Sequence, residues 1–195
     1  MIPQHEFYQA LRIALSMVPD SHPKLPELAS LLIECSLDGE LRLVGSDGER
    51  IVVVRLHCQH GQPAKTAMRV SRAEAESVLA YPFNSEPQIT LCFMGETLMI
   101  TDGVQCATCT ALPGPYPDYR AVMHHKPGDK GPRAFRRADL AEGLAILEAD
   151  TVTLDINGLL GPGYIKWVAG EGAIKSVVMG FSPVTMPVVD KQAGK

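Results

Sequence analysis

The stretch Ser71-Arg-Ala-Glu-Ala-Glu-Ser-Val-Leu-Ala80 returns 65 residues later as Arg136-Arg-Ala-Asp-Leu-Ala-Glu-Gly-Leu-Ala145. Arginine, alanine, an acidic residue, leucine and a second alanine occupy the same offsets in both copies. Ser71 followed three residues later by Glu74 is a capping-box pattern, which is typical of a helix start. A helical segment that recurs in this way indicates that the chain repeats one supersecondary unit.

Three such units can be traced in the sequence. Each has one segment with helical spacing of apolar residues, followed by three strand-like segments joined by turns such as Asp38-Gly39 and Asp47-Gly48. A lead-in strand precedes the helix of the second and third units. The predicted helices cover 3–18, 71–80 and 137–147, and the predicted strands cover 31–35, 41–45, 51–56, 66–70, 88–93, 97–101, 104–111, 134–136, 151–156, 163–168 and 174–179.

These units predict an α+β fold of repeated α-then-antiparallel-β units, with the helices on one face of the sheets. Each unit has one apolar helix face and one apolar sheet face, so two units must close over each other to bury both. We expect a complete two-unit domain at 1–123, a half domain of one unit at 124–181 and a C-terminal tail at 182–195. The third unit has no partner within the chain, which predicts self-association or an exposed apolar face.

Composition narrows the class of protein. The 195 residues are 46% hydrophobic and 21% charged, and the formal net charge is −4. This balance is typical of a globular protein and argues against binding nucleic acid mainly through bulk charge. No apolar run reaches the roughly 18 residues of a membrane span. The sequence does not open on a secretory leader pattern, and its five cysteines lack framework spacing, so we expect a cytoplasmic protein.

Residues with possible catalytic or metal-binding chemistry have simpler structural interpretations. Cys106-Ala-Thr-Cys109 has the spacing of a metal or redox pair, but in a strand residues three apart point to opposite faces. His57-Cys58-Gln59-His60 lacks a nearby acidic partner, and His124-His125 falls in a polar loop. We therefore expect no enzymatic activity, cofactor or metal. A nucleotide-modifying or metal enzyme that uses these histidines and cysteines is the disfavoured alternative.

Two further stretches carry a resemblance to a known family. Ser46-Asp-Gly-Glu-Arg-Ile51 joins two predicted strands, and Tyr116-Pro-Asp-Tyr-Arg-Ala-Val122 ends the second unit. They resemble the bacterial sliding clamp, the β subunit of DNA polymerase III, whose middle domain carries a Thr-Asp-Gly-His-Arg-Leu turn and ends in Phe-Pro-Asp-Tyr-Arg. Pro3-Gln4, Leu15-Ser-Met17 and Val177-Val-Met179 are also similar to the family, so the resemblance covers about residues 3–181.

The resemblance implies a ring. The family builds rings of six similar domains, each of two units, with helices inside and sheets outside. This chain is similar to the middle domain and the second half of the third domain, and it lacks the parts that form the family's subunit contacts. Four chains of three units would supply the twelve units of such a ring. One expectation is thus a homo-oligomer around double-stranded DNA, with Arg12, Arg72 and Arg137 facing the DNA.

The resemblance also implies a cleft that binds the clamp-binding motifs of DNA polymerases and related proteins. An apolar groove with a few polar groups suits short peptides with Leu and Phe anchors. Three departures stand out: Glu49 replaces the family's His, Ala121 an Arg or similar residue, and Gly180 a Pro, and the first two reduce positive charge at the rim. The expected cleft residues are Leu28, Ser46, Gly48, Arg50, Ile51, Pro117, Arg120, Val122, Val177, Val178 and Met179.

Two functions follow from the resemblance. The first is a clamp-like processivity factor for DNA replication or repair, which tethers a polymerase through the cleft and assembles as a ring. The second is a homologue that does not encircle DNA and acts as a competitor or regulator of clamp-binding proteins. Charge bears on this choice, because each predicted helix carries at least as many acidic as basic residues. A surface that tracks phosphates needs a surplus of lysine and arginine.

Overall fold

The computed structural model of the chain describes residues 1–58, 66–83, 87–123, 134–147, 151–156, 163–167 and 174–182, with the backbone alone for 154–156 and 163–167. A short 3₁₀ turn spans Pro26–Leu28. The described helices are α1 Gln4–Leu15, α2 Arg72–Ala80, α3 Tyr119–Met123 and α4 Arg137–Ile146. The described strands are β1 Ile2–Pro3, β2 Ser30–Cys35, β3 Glu40–Ser46, β4 Arg50–His57, β5 Thr66–Ser71, β6 Gln88–Met94, β7 Thr97–Thr101, β8 Cys106–Thr110, β9 Thr153–Ile156, β10 Gly163–Trp167 and β11 Ile174–Phe181.

The ends of the helices follow local chemistry. Ser71 caps α2, since its hydroxyl oxygen accepts a hydrogen bond from the backbone N–H of Glu74 at 3.2 Å, as the capping-box pattern predicts. Helix α1 ends at Leu15 rather than at the predicted Val18. The N–H of Val18 donates to the carbonyl of Leu15 at 3.0 Å, so the chain tightens into a 3₁₀-type turn before Pro19.

Two antiparallel sheets organise the chain. One has four strands in the order β1-β6-β7-β8, and the other has seven in the order β5-β2-β3-β4-β11-β10-β9. The first two units exchange their lead-in strands, because β1 pairs with β6 of the second unit and β5 pairs with β2 of the first. The third unit joins the larger sheet through β11, which pairs with β4.

The main hydrophobic core lies between the helices and the sheets. Helix α1 packs on β3, β4 and β11, α2 packs on β5 and β8, and α4 packs on β11. Phe7 of α1, Val54 of β4, Leu98 of β7 and Phe181 of β11 are all fully buried in this one cluster. The core therefore draws on all three units.

A second, smaller cluster covers the other face of the seven-stranded sheet. It contains Leu32, Val44, Ile51 and Val53, which alternate along their strands with residues of the main core. Tyr119 of α3 closes this cluster. Because β4 is buried on both faces, its sequence has a continuous apolar run from Ile51 to Val54 rather than an alternating pattern.

The predicted α+β class and repeated α-then-antiparallel-β units are confirmed, with three differences. The two-residue strand β1 and the short helix α3 were not predicted, and α3 lies on the face of the sheet opposite the other helices. The predicted strand 134–136 is reduced to an isolated bridge at Ala134. No helix among the described residues is long and apolar enough to cross a membrane.

Candidate binding groove

A groove opens where three segments distant in sequence meet. These segments are the β3–β4 turn, the stretch that leads into α3, and the end of β11. The cavity has a volume of about 180 Å³. It is lined by Leu25, Leu28, Ser46, Gly48, Glu49, Arg50, Ile51, Tyr116, Pro117, Asp118, Tyr119, Val122, Gly180, Phe181 and Ser182.

The β3–β4 turn is held rigidly by its own side chains. Ser46 donates its hydroxyl to the carbonyl of Arg50 at 2.7 Å and accepts the N–H of Gly48 at 3.1 Å. The Asp47 carboxylate accepts the N–H of Glu49 at 3.0 Å and that of Arg50 at 2.7 Å. Gly48 has φ +87°, a left-handed conformation that glycine adopts without steric cost. The turn thus presents a fixed wall to the groove.

Arg50 ties this wall to α4. Its guanidinium donates to Asp47 at 2.8 Å and to Glu142 at 2.6 Å. Burial disfavours the charged guanidinium, but the bonds to Glu142 and Asp47 outweigh burial and raise the pKa of Arg50 above its ordinary value. A second ion pair joins Glu49 to Arg136. Helix α4 and the turn therefore hold each other in place on this side of the groove.

The opposite wall is anchored by aromatic residues. The Tyr119 ring is buried in the smaller cluster, and its hydroxyl donates to the Glu34 carboxylate at 2.6 Å. Burial and the bond to Glu34 raise the pKa of Tyr119 to about 12. Upstream, the guanidinium of Arg69 donates to the carbonyls of Pro113 and Gly114 at 2.8 and 3.2 Å. These hydrogen bonds fix the position of the segment that connects β8 to Tyr116 and α3.

The end of β11 completes the groove through backbone rather than through the predicted side chains. Gly180 lies opposite Ile51 and Phe181 opposite Arg50 in the β4–β11 register. The N–H of Ser182 donates to the carbonyl of Glu49 at 2.9 Å, which closes this corner. Because β11 extends to Phe181 beside the start of β4, its last residues reach the cavity.

Four of the predicted cleft residues lie elsewhere. The side chains of Val177 and Met179 are fully buried in the main core, because alternate residues of β11 face the helices. Val178 pairs with Val53, too far along the strand to line the cavity. Arg120 points away, since its guanidinium donates to Glu34 at 2.6 Å and lies 4.6 Å from the Tyr119 ring centre.

The other seven predicted residues meet at the cavity. The turn and the α3 segment supply most of them, and Leu28 comes from the 3₁₀ turn. They are Leu28, Ser46, Gly48, Arg50, Ile51, Pro117 and Val122.

Sequence reasoning missed several groove residues. Leu25 exposes 44% of its surface and lies in the connector between α1 and β2, whose sequence carries no signal for a binding residue. Tyr116 opens the stretch Tyr116–Val122 that resembles the sliding-clamp family. The sequence does not show that its side chain also lines the groove. Phe181 and Ser182 follow the predicted last strand, which ends two residues later than expected. A strand end is the least certain part of any periodicity argument.

A larger concave surface of about 860 Å³ lies beside Arg120 and is a weaker candidate. Its lining includes Glu34, Asp38, Glu40 and Arg42. Arg120 already pairs with Glu34, and Arg42 with Glu40, so these charges neutralise one another. The described residues contain no group of three or more histidine, cysteine or carboxylate side chains placed to hold a metal ion.

Removing the hydroxyl of Tyr116 should change stability in the opposite direction from removing that of Tyr119. The Tyr116 hydroxyl is buried without a hydrogen-bond partner among the described residues, whereas the hydroxyl of Tyr119 is bonded to Glu34. An unpaired buried polar group costs about 1–3 kcal/mol. We expect Tyr116→Phe to raise the free energy of unfolding by about 1 kcal/mol and Tyr119→Phe to lower it by a similar amount, as measured by urea denaturation. Equal effects of the two substitutions would contradict this assignment.

Comparison with solved structures identifies the architecture. A Pseudomonas aeruginosa DNA polymerase sliding clamp with ligand superposes with a TM-score of 0.77 at 12% identity, covering 95% of this chain and 65% of that one. The fold is that of the DNA polymerase sliding clamp. A Bacillus subtilis sliding clamp gives 0.74 at 12% identity, with coverages of 95% and 64%. A Helicobacter pylori β clamp bound to a DNA ligase peptide gives 0.73 at 14% identity, with coverages of 95% and 65%.

This chain has the clamp fold in shortened form, since it spans about 65% of the length of these clamps. No protein-family model matches the sequence, and no curated protein matches it significantly. At 12–14% identity the likeness lies in the course of the backbone, and the side chains of the groove are this chain's own.

The three arginines predicted to face DNA differ in their surroundings within the clamp fold. Arg12 of α1 and Arg137 of α4 are exposed. Arg72 is engaged by Asp20 at 3.3 Å and by Glu76 at 2.7 Å, and it also donates to the carbonyl of Val18. The interactions of Arg72 therefore stabilise the junction between α1 and α2 and neutralise its charge.

Proposed function

We propose that the groove binds short peptides with large apolar anchors, and that the protein is a clamp-like accessory factor of DNA replication or repair. The observation that carries the proposal is the convergence of the β3–β4 turn, the α3 segment and the end of β11 on one cavity. The partners would be polymerases or other proteins that carry a clamp-binding motif, and the role would be non-enzymatic.

The chemistry of the groove supports a peptide ligand. Leu28, Ile51 and Val122 give an apolar lining, and the polar groups of the turn are mostly bonded to one another. Such a site gains affinity by burying apolar side chains and gains orientation from a few polar groups at its rim. A Helicobacter pylori clamp with the same fold is bound to a DNA ligase peptide, which supports the same class of ligand here.

Titration with a fluorescent peptide that carries Leu and Phe anchors tests the proposal. We expect a dissociation constant in the micromolar range, about −8 kcal/mol. Val122→Asp should weaken binding about tenfold or more, because it places a carboxylate on the apolar wall. Val122 exposes 49% of its surface, so the fold should tolerate the change.

Val104→Asp is the matched control. Val104 exposes 77% of its surface and does not line the cavity, so this variant should bind as the unmodified protein does. Equal binding by both variants, or no binding by the unmodified protein, would exclude a peptide site in the groove.

A second form of this function is favoured by the charge of the helices. Arg72 is neutralised by Asp20 and Glu76, and no predicted helix has a surplus of basic residues. Counterion release, which drives binding along a DNA backbone, needs such a surplus. We therefore propose that the protein acts without encircling DNA, as a competitor or regulator of clamp-binding proteins. Retention on closed circular DNA, with release on linearisation, would instead show a ring, for which four chains would supply twelve units.

A further inference from the structure

The charged residues of the groove lie at its rim, around the apolar lining. Among the described residues that line the cavity, three carry a charge: Glu49 and Arg50 on the β3–β4 turn, and Asp118 just before α3. Glu49 and Asp118 are exposed, whereas Arg50 is half-buried. Two carboxylates therefore face solvent on opposite walls of the groove, and the cation between them in the lining is the least exposed of the three.

The positive charge of Arg50 is more than balanced by its own partners. Its guanidinium donates to the carboxylates of Asp47 and Glu142, so one cation faces two anions. An acidic group of a ligand would have to displace one of these carboxylates and would then lie beside the other. The groove therefore offers no available cation at Arg50 to a ligand with negative charge.

The carboxylates of Glu49 and Asp118 remain accessible to a ligand. Glu49 pairs with Arg136, but both side chains expose 55% of their surface, and an exposed ion pair of this kind contributes little to stability. Glu49 can therefore exchange Arg136 for a cation of the ligand. One oxygen of Asp118 accepts the N–H groups of Arg120 and Ala121 at 3.1 and 3.4 Å, which holds the carboxylate at the start of α3. Within the described part of the chain, Asp118 forms no ion pair.

The charges next to the lining residues keep the rim acidic. When the ion-pair partners of the described lining residues are included, four carboxylates stand against two guanidinium groups. In the connector, Lys24 precedes Leu25 and Glu27 precedes Leu28, so these two charges cancel. The described rim thus has an excess of negative charge, and a surface of this sign attracts cationic ligands.

The size of the cavity brings the flanking residues of a peptide to this rim. A volume of about 180 Å³ is below the roughly 300–1,000 Å³ of a pocket that encloses a small-molecule ligand. The cavity can therefore hold the apolar anchors of a peptide, while the residues on either side of the anchors must lie across the rim. Charged side chains at those positions would contact Glu49 and Asp118.

We propose that the groove selects peptides whose apolar anchors are flanked by lysine or arginine. The inference rests on the proposed function and specifies the ligand of the same site. Cations on the two sides of the anchors would pair with Glu49 and Asp118, whereas carboxylates in the same positions would be repelled. The partner would thus present a basic segment rather than an acidic one.

Titration of the full chain with three fluorescent peptides tests the inference. The peptides share the same Leu and Phe anchors and are flanked by lysine, glutamine or glutamate. We expect affinity to fall in that order, with the lysine peptide about tenfold tighter than the glutamate peptide at about 50 mM salt. The ratio should approach one at about 1 M salt, where the screening length falls to about 3 Å. A lysine peptide with serine in place of both anchors should not bind, because charge alone does not fill the cavity.

Two variants locate the preference at the rim. Asp118→Asn and Glu49→Gln each remove one negative charge and keep a side-chain oxygen that accepts hydrogen bonds, so the start of α3 retains its cap. Each should lower the ratio of lysine-peptide to glutamate-peptide affinity about two- to fivefold. Glu96→Gln is the matched control, since Glu96 is exposed in the β6–β7 turn and does not line the cavity. This variant should keep the full ratio.

The outcomes separate this inference from the proposed function. Equal affinity for the lysine and glutamate peptides, or tighter binding of the glutamate peptide, would overturn the inference and leave a peptide site in the groove. A lysine preference that survives in both Asp118→Asn and Glu49→Gln, or an anchor-free lysine peptide that binds as tightly as the anchored one, would also overturn it. Failure of all three anchored peptides to bind would exclude the proposed function and this inference together.

Discussion

Replacing Gly45 by alanine is expected to cost about 3 kcal/mol or more of the free energy of unfolding, because it inserts an atom into a filled space. Gly45 lies on β3 directly beneath α1. A Cβ atom at this position would overlap the carbonyl oxygen of Ala14 and lie 3.0 Å from the Cγ2 of Val18. The obstacle is helix backbone, which cannot move without displacing Phe7 and Leu11 from the core.

Thermal and urea denaturation followed by circular dichroism measure the effect. Gly143→Ala is an informative comparison, since its Cβ would meet the Cζ atom of the Phe181 ring at 2.7 Å, which belongs to a side chain rather than to helix backbone. We expect a smaller loss there. Gly95→Asn is the control: no atom lies within 4 Å, and asparagine tolerates φ +62°. If Gly45→Ala lowered the free energy of unfolding no more than Gly143→Ala does, that result would contradict the close contact between α1 and β3.

Replacing Arg69 by leucine should destabilise the protein by about 3 kcal/mol, since hydrogen bonds from a charged donor contribute about 1.5–3 kcal/mol each. Arg69 exposes 8% of its surface. Its guanidinium donates to the hydroxyl of Ser30 at 3.2 Å and to the carbonyls of Pro113 and Gly114. Loss of these bonds releases the chain just before Tyr116, so the wall of the groove should also lose its position.

Two measurements separate stability from site geometry for this variant. Urea denaturation reports the loss of stability, and peptide titration under conditions where the variant is folded reports the groove. We expect weaker peptide binding by Arg69→Leu, with partial recovery in Arg69→Lys, which keeps the charge but not the planar fork of donors. Unchanged binding by a folded Arg69→Leu would show that Arg69 stabilises the core without positioning the groove.

Much of the secondary structure could be predicted because its signals are local. Apolar periodicity marked α1, and the Ser71–Glu74 capping box marked α2 at its first residue. Turn residues such as Gly39 and Gly48 marked the hairpins, and both have the positive φ that the turns need. The two-residue strand β1 could not be predicted, because it exists only by pairing with β6, more than eighty residues away.

The groove could be predicted in part. The resemblance to the sliding-clamp family implied that the β3–β4 turn and the stretch from Pro117 to Val122 form the cleft, and residues of both line the cavity. Arg120 was placed wrongly because an ion pair with Glu34, distant in sequence, decides its direction. Val177 and Met179 were placed wrongly because the face that a strand residue takes depends on register with its neighbour, which a continuous apolar run does not reveal.

The sequence by itself determined the repeated unit, the number of units and the order of helix and strands within each, since these depend on contacts between near neighbours along the chain. Only the tertiary structure decided that the units exchange lead-in strands, that β11 joins β4, and that the last residues of β11 rather than Met179 line the groove. Those outcomes depend on hydrogen bonds and side-chain contacts between residues far apart in sequence. A local sequence pattern does not specify such contacts, because each observed strand pairing competes with every other pairing that the same strands could form.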